Sequence, residues 1–444
     1  MKLKRILSAV LSVSMLSAVA LTGCGSSDSS ASGSRSAEAK TADGSTAEGE
    51  SKADAPAPSG DAKPITVWAP EEISALTQEK IDAWLPTSDW AGQYTVTVSA
   101  MGEGDAATQM LTDVEAGADI FGFAQDQLAR LVAAGALSAP GGIFLDDVNN
   151  NNDTGSIGAA TLDGKVYAYP ETSDNGFFLF YDKSVVSDPS TLDGILEQCD
   201  AAGKKFYMDL QSGWYNVAFF FATGAQCYYN YDTEGNVTDA VCDYNSDAGL
   251  AALKAQVALA SNKAFSQSTG ADAALFDPNG GTAGAIVSGT WDSAKVKEYL
   301  GDNYGASKLP TFNVDGKDYQ MSGFGGFKLV GVKPQTDSDK LTFCHALADF
   351  ITSEEMQMAR FEANGWGPSN LNAQKSDAVQ ADPALAALAA QLAFCPAQGQ
   401  YPNAYWTVTE AFGTDINSGK YAKSSDDDLK AALADLEKEI KDAK

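Results

Sequence analysis

Trp291 stands two residues beyond Gly289, at the end of the apolar run Gly284-Ala285-Ile286-Val287-Ser288. That run reads as a buried strand. A side chain placed there can project from the carboxyl end of a sheet, where open α/β sheets bind their ligands. A flat indole could stack on the apolar C–H face of a sugar, with carboxylates and amides beside it to take hydroxyl hydrogen bonds. The chain has the residues for such a cleft: 7 Trp, 16 Tyr and 20 Phe, with 59 Asp and Glu. The alternative is Trp291 packed in a core. Trp366, in the turn-rich loop Gly365-Trp366-Gly367-Pro368-Ser369-Asn370, is either a second platform or the anchor of its own loop.

Other chemistries find less support. Beyond Cys24 there are five cysteines (199, 227, 242, 344 and 395), with no Cys-x-x-Cys pair, and His345 is the one histidine. A thiolate/imidazole metal site of ordinary spacing is therefore not available. His345 lies in the apolar helical stretch 341–350 and reads as a packed helix residue. Asp147-Val148-Asn149-Asn150-Asn151-Asn152-Asp153 hints at a calcium loop, but it lacks the sixth-position glycine and the bidentate glutamate, and reads as a solvated surface loop. A glycoside hydrolase needs two carboxylates at a set separation. No acid here sits in a recognisable catalytic motif, so we expect no enzyme, no cofactor and no metal. Cys227 and Cys242 flank a hairpin centred between Glu234 and Gly235, which puts them opposite one another. Opposed cysteines can bridge, or can pack as two reduced thiols.

The amino terminus carries Lys2, Lys4 and Arg5, then an apolar run from Ile6 to Leu21 that is too short and serine-rich for a span. It reads as a signal peptide over 1–23. Leu21-Thr22-Gly23-Cys24 resembles a bacterial lipobox, in which the cysteine becomes the lipid-bearing first residue of the mature chain; plain secretion is the alternative. Residues 24–63 are nearly all Gly, Ser, Ala, Asp, Glu, Thr and Lys, without aromatic or branched aliphatic side chains. Such a segment cannot bury enough apolar area to offset its ordering entropy, and reads as a lipid-anchored flexible linker.

The 381 residues from Pro64 onward are comfortable for two cores. The chain's net charge of −29 becomes −32 when the leader's three basic residues are removed. So acidic a surface repels nucleic acid and anionic lipid heads, leaving neutral or cationic ligands. Strands at 65–67, 94–98 and 119–123 alternate with helices at 74–84, 106–115 and 125–134, which predicts parallel βαβ units. Further strands are expected at 166–170 and 177–181, and helices at 249–260, 353–363 and 426–444.

The segment Asp163-Gly164-Lys165-Val166-Tyr167-Ala168-Tyr169-Pro170, followed by Phe180-Tyr181-Asp182-Lys183, resembles the corresponding part of extracellular solute-binding proteins of the maltose/maltodextrin type. Gly117-Ala118-Asp119-Ile120-Phe121 before it, and the run Gly284 to Trp291, Leu309-Pro310-Thr311-Phe312 and Pro402-Asn403-Ala404-Tyr405-Trp406 after it, occur in the family's order. The resemblance implies an α/β, two-lobed periplasmic-binding-protein-like fold (type II), each lobe a mainly parallel sheet flanked by helices, with a multi-strand hinge. It divides the chain into an N-terminal lobe (64–174 plus 321–352) and a C-terminal lobe (175–320 plus 353–444). It also implies an oligosaccharide ligand, most simply maltose or maltodextrin. The protein would be a monomer on the outer face of the cell membrane, partnered by an ABC importer permease. Peptide and polyamine ligands are the runner-up.

The same resemblance assigns site residues. Trp214 is the nearest match to the family's stacking aromatic, although Ser212 stands where relatives often carry an acid. Trp406 matches the late aromatic block, or else packs on the last helix. Glu71 and Glu72 stand where charged sugar contacts occur, or begin a solvated helix. Phe123 and Asp126 replace a Trp and an Asp-Arg pair, and Asp126 could instead cap the next helix. Asp174 stands at the lobe crossing, where a hinge carboxylate faces the cleft.

Overall fold

The computed structural model describes residues 62–232, 235–270 and 272–443. The leader, Cys24 and nearly all of the linker lie outside the described residues. Among those described, no helix is long and apolar enough to cross a membrane.

The first strand, Lys63–Ala69, buries Ile65 and Val67 while Pro64 and Thr66 face out. That period of two suits a half-buried sheet rich in β-branched residues. The helix Glu71–Trp84 follows, burying Ile73, Thr77 and Ile81 at four-residue spacing, with Glu71 and Glu72 in its first turn. Acids there suit the positive end of the helix dipole. Strands Tyr94–Ala100 and Ile120–Ala124 flank Lys63–Ala69 in parallel. Gly326–Val332 then pairs antiparallel with Ile120–Ala124 on one side and Tyr169–Asn175 on the other, completing five strands.

A second five-stranded sheet runs in the order Phe265–Gln267, Lys205–Met208, Ala283–Ser288, Phe178–Asp182, Tyr304–Ser307. Its first three strands are parallel and its last two antiparallel to their neighbours. Both faces of each sheet are covered. Ile65, Ile120, Val330 and Phe343 pack on one side of the first sheet, and Phe121, Phe123 and Leu329 on the other. Phe206, Met208 and Leu253 pack on one side of the second, and Phe178, Phe180 and Ile286 on the other. The chain crosses between sheets after Asn175 and again over 321–325.

The return to the amino-terminal half goes further than helix Ser338–Ile351. Helix Glu354–Asn364 touches both Glu71–Trp84 and Ser293–Leu300. Trp366 packs on Ala69 and Ile73, and Pro368 and Asn370 bridge to Thr172 and Asn152. The segment after 353 thus packs across both halves.

Two local expectations need correction. The strand expected at 166–170 begins at Tyr169 and runs to Asn175, because Lys165–Val166 instead turns back on Thr161–Leu162. Asp163 and Gly164 make that turn, with φ of 49° and 74°, the Asp-Gly pairing favoured in tight hairpins. The stretch 147–153 is not a surface loop: helix Ile143–Asn151 buries Val148, and Asp153 accepts from the amides of Gly155 and Ser156 to cap the next helix.

His345 is a packed helix residue, as its neighbours in the sequence imply. Its Nδ1 lies 2.9 Å from the Tyr169 hydroxyl and its Nε2 3.1 Å from Ser138 Oγ. Burial pushes its pKa down to about 4. The unfolded chain therefore gains a proton before the folded one does. This contribution to stability is full above pH ~6.5 and disappears as pH falls toward ~4. Urea denaturation of His345→Gln should show a smaller loss of stability than wild type between those pH values; equal slopes would contradict this account.

Candidate functional site

A cavity of about 430 Å³ opens between the two sheets. Its first wall comes from the amino-terminal half: Glu72, Glu103, Asp126, Gln127 and Lys328. Its second wall is Trp214, Trp291, Trp406 and Gln398, with Ser212 beside them and Asn175 at the crossing. Charge lines one side and indole rings the other.

Local chemistry explains each placement. Trp291 follows Gly289 in a short 3-10 turn after strand Ala283–Ser288. A Cβ on Gly289 would come 2.1 Å from the Trp291 ring, so glycine lets the indole fold back over the strand end. The indole N–H donates to the Gly270 carbonyl at 2.9 Å. Trp214 enters from the first turn of helix Gly213–Thr223, where Ser212 is the N-cap and accepts from the Trp214 amide. The serine that replaces an expected acid thus starts the helix that carries the ring. Trp214 and Trp291 have centroids 5.9 Å apart, and Phe177 abuts Trp214 edge-on at 4.8 Å. The Trp214 N–H donates to Gln398 Oε1 at 3.3 Å. Trp406 stands on Tyr401 and Tyr405, at 5.3 and 4.8 Å, in the first turn of helix Asn403–Asn417.

Among the acids, Asp126 reaches the cavity from the turn after strand Ile120–Ala124. It accepts from Gln127 at 3.1 Å, and the Trp406 indole and Arg130 lie near enough to act on its charge. It does not cap the following helix by a side-chain hydrogen bond. Burial pushes its pKa up to about 7, against the pull of Arg130 and Trp406. Glu72 lines the cavity, whereas its equally exposed neighbour Glu71 does not.

Three further expected site residues, like Glu71, do not line the cavity. Phe123 is fully buried, packed with Phe121 and Leu329 on the back of its strand. Asp174 is buried and acts as a stitch, accepting from Thr290 Oγ1 at 2.6 Å and from the Gly367 amide. Trp366 is the loop anchor of the two alternatives, with 1% exposure. Period-two and loop reasoning place such side chains near a cleft but do not decide which way they face.

Lys328, Glu103, Gln127, Gln398 and Asn175 escaped the sequence reading. Lys328 sits mid-strand, where a lysine reads as solvent-facing. Its ammonium is instead buried, 2.9 Å from Glu103 Oε1. It lies 3.8 Å above the Trp366 ring centroid and 5.9 Å from that of Trp291. Burial pulls its pKa down, but Glu103, Asp174 and Glu72 outweigh this and hold it above the ordinary lysine value. The one available signal was a lysine inside an otherwise apolar strand, Gly326–Val332.

The opposed cysteines are strand partners in hairpin Cys227–Tyr231/Val237–Cys242, as the hairpin centre implies. Both are buried free thiols in this structure. No group of three or more His, Cys, Asp or Glu among the described residues is placed to hold a metal ion.

Asp126 generates a pH dependence. Its folded pKa is raised above the unfolded value of about 3.9, so its contribution to stability is full below pH ~4 and is lost as pH rises through ~7. Asp126→Asn should therefore gain stability on wild type by roughly 2–4 kcal/mol between pH ~4 and ~8. Urea midpoints of ligand-free protein measure this, and a pH-independent gap would refute it.

The family model for bacterial extracellular solute-binding proteins matches residues 87–387. A solved structure with acarbose is 29% identical, covering 86% of this chain and 99% of that one at a TM-score of 0.74. The unliganded maltodextrin-binding protein MalE1 of L. casei BL23 is 25% identical, covering 86% and 99%, at 0.68. The maltose-maltodextrin-binding protein of Alicyclobacillus acidocaldarius, at 21% identity and 0.68, covers 85% and 100% and shares the fold. These neighbours are two-lobed, which fits the two sheets and the cavity between them. No curated protein matches.

Proposed function

This chain belongs to the bacterial extracellular solute-binding proteins, and we propose that it captures an oligosaccharide, most simply a maltodextrin, in the interlobe cavity and delivers it to an ABC importer. The observation that carries the reading is the pairing of three indoles on one wall with carboxylates, an amide and one ammonium on the other. Sugars need that combination: apolar C–H faces for the rings, and hydroxyls that both donate and accept. Family and neighbours are binding proteins, and neighbours bind maltodextrins or acarbose by their descriptions. A cavity of about 430 Å³ suits a short oligosaccharide.

We assign the lobes to 64–174 plus 321–352 and 175–320 plus 353–444, with residues 354–370 packed across both. A ligand touching both walls makes more contacts when the lobes approach, so it favours the closed form. That form is the shape offered to the permease. Cys24 carries the lipid and residues 24–63 the leash, keeping a monomer at the outer membrane face. The acidic surface excludes nucleic acid as a partner.

Trp291→Ala should weaken maltodextrin binding by about 1–3 kcal/mol, roughly 5- to 150-fold, as truncation of a buried aromatic anchor does. Calorimetry against maltose, longer maltodextrins and acarbose tests this. Unchanged affinity in a variant that melts like wild type would remove Trp291 from the ligand platform, and no heat with any glucan would remove the sugar reading itself.

Cys24→Ala should leave the protein unprocessed or released, because a lipid chain supplies the membrane affinity. Fractionation of cells finding a processed, wild-type-sized variant still with the membranes would contradict the anchor.

A further inference from the structure

We propose that Cys227 and Cys242 form a redox pair that closes to a disulfide under the cleft's aromatic wall, with a small or protein disulfide as the oxidant. The two are cross-strand partners in the antiparallel hairpin. The neighbouring partners, Gln226 and Asp243, are hydrogen-bonded, the Asp243 amide donating to the Gln226 carbonyl at 3.1 Å. Hydrogen-bonded and non-hydrogen-bonded pairs alternate in such a ladder, so Cys227 and Cys242 occupy a non-hydrogen-bonded pair. In that pair type the Cα atoms approach to about 4.5 Å with side chains toward each other, within the range a disulfide spans. The Cys242 thiol is near enough to perturb that of Cys227. Closure therefore needs rotation of side chains and no shift of strands.

The surroundings separate this pair from the other cysteines. Cys227 lines a groove of about 470 Å³ beside the half-exposed Tyr228, which gives an oxidant a way in. The neighbouring Cys242 sulfur, with burial, holds the Cys227 thiol well above its ordinary pKa. Exchange is then slow, and a bridge once formed is shielded. Cys199 shares the pair's core but sits on helix Leu192–Ala201 against Gly284, Cys344 lies in the core of the other sheet, and Cys395, just past helix Pro383–Leu392, donates to the Gln391 carbonyl. The family is extracellular, where disulfides persist.

The chemistry balances as thiol–disulfide exchange. One cysteine thiolate attacks a sulfur of the oxidant, expelling its other half as a thiolate. The second cysteine attacks the mixed disulfide and releases the remaining half. The pair loses two protons and two electrons, and the oxidant's disulfide becomes two thiols. The bridge would pin the hairpin beneath Tyr401, whose hydroxyl donates to the Cys227 carbonyl at 2.7 Å. Tyr401 packs on Trp406, which faces the cleft.

The test treats the full chain with oxidised glutathione, unfolds it in acid, alkylates remaining thiols and maps peptides by mass. The expected result is one linked peptide pair containing Cys227 and Cys242, lighter by two hydrogens, with Cys199, Cys344 and Cys395 alkylated. The oxidised protein should melt above the reduced one. In Cys227→Ser or Cys242→Ser the partner cysteine should instead keep a glutathione adduct, and the melting gain should vanish. Alkylation of both cysteines after oxidation, or linkage of either to a third cysteine, would overturn the proposal. So would an equal melting gain in the single variants. None of these readouts involves a sugar, so failure here is distinct from failure of the ligand assignment.

Discussion

Lys328 has its ammonium out of water, and an unpaired buried charge costs several kcal/mol. Everything around it answers that cost. Glu103, from the start of a first-lobe helix, supplies the counter-charge. Trp366 supplies the face of its ring, which draws that loop onto Ala69 and Ile73. Trp291, from the second sheet, stands near enough for a weaker cation–π contact. One cation thus ties together a strand and helix of one lobe, the loop after 364, and the indole offered by the other lobe.

Asp174 complements it at the crossing. The carboxylate joins the Thr290 turn, which carries Trp291, to the Gly367 amide beside Trp366. Position of the Trp291 ring is therefore set from two sides, by a charge beneath it and a hydrogen bond behind it. The ring itself needs only room, which Gly289 provides. On the far side Asp126 faces Trp406. The cleft is an arrangement of rings held by buried polar groups whose own partners come from both lobes, so its geometry depends on the lobes' relative position.

Much of the architecture was legible because it rests on local periodicity. Ile65 and Val67 alternate; Ile73, Thr77 and Ile81 repeat every four residues; Leu429, Leu433, Leu436 and Ile440 line one face of the last helix. The hairpin register of Cys227 and Cys242 followed from the turn centre alone. Tyr169–Asn175 was harder, because Asp163-Gly164 makes a small hairpin just before it and shifts the strand start. Helix Ile143–Asn151 was hidden by a run of Asn and Asp, residues with weak helix preference that tertiary packing of Val148 overrode.

Alone, the sequence determined the βαβ order, the anionic surface, the absence of ordinary cysteine/histidine metal spacing and the supply of aromatic and acidic residues. These depend on composition and on neighbours a few positions apart. Tertiary structure decided which of those residues meet. Trp214, Trp291, Trp406, Asp126 and Glu72 converge on one cavity, while Phe123, Asp174 and Trp366, equally plausible by position, are buried away from its lining. Lys328 reads as a surface lysine until strands from distant parts of the chain enclose it. Side-chain direction and burial at a lobe junction come from contacts between residues tens to hundreds of positions apart, and local spacing carries no record of them.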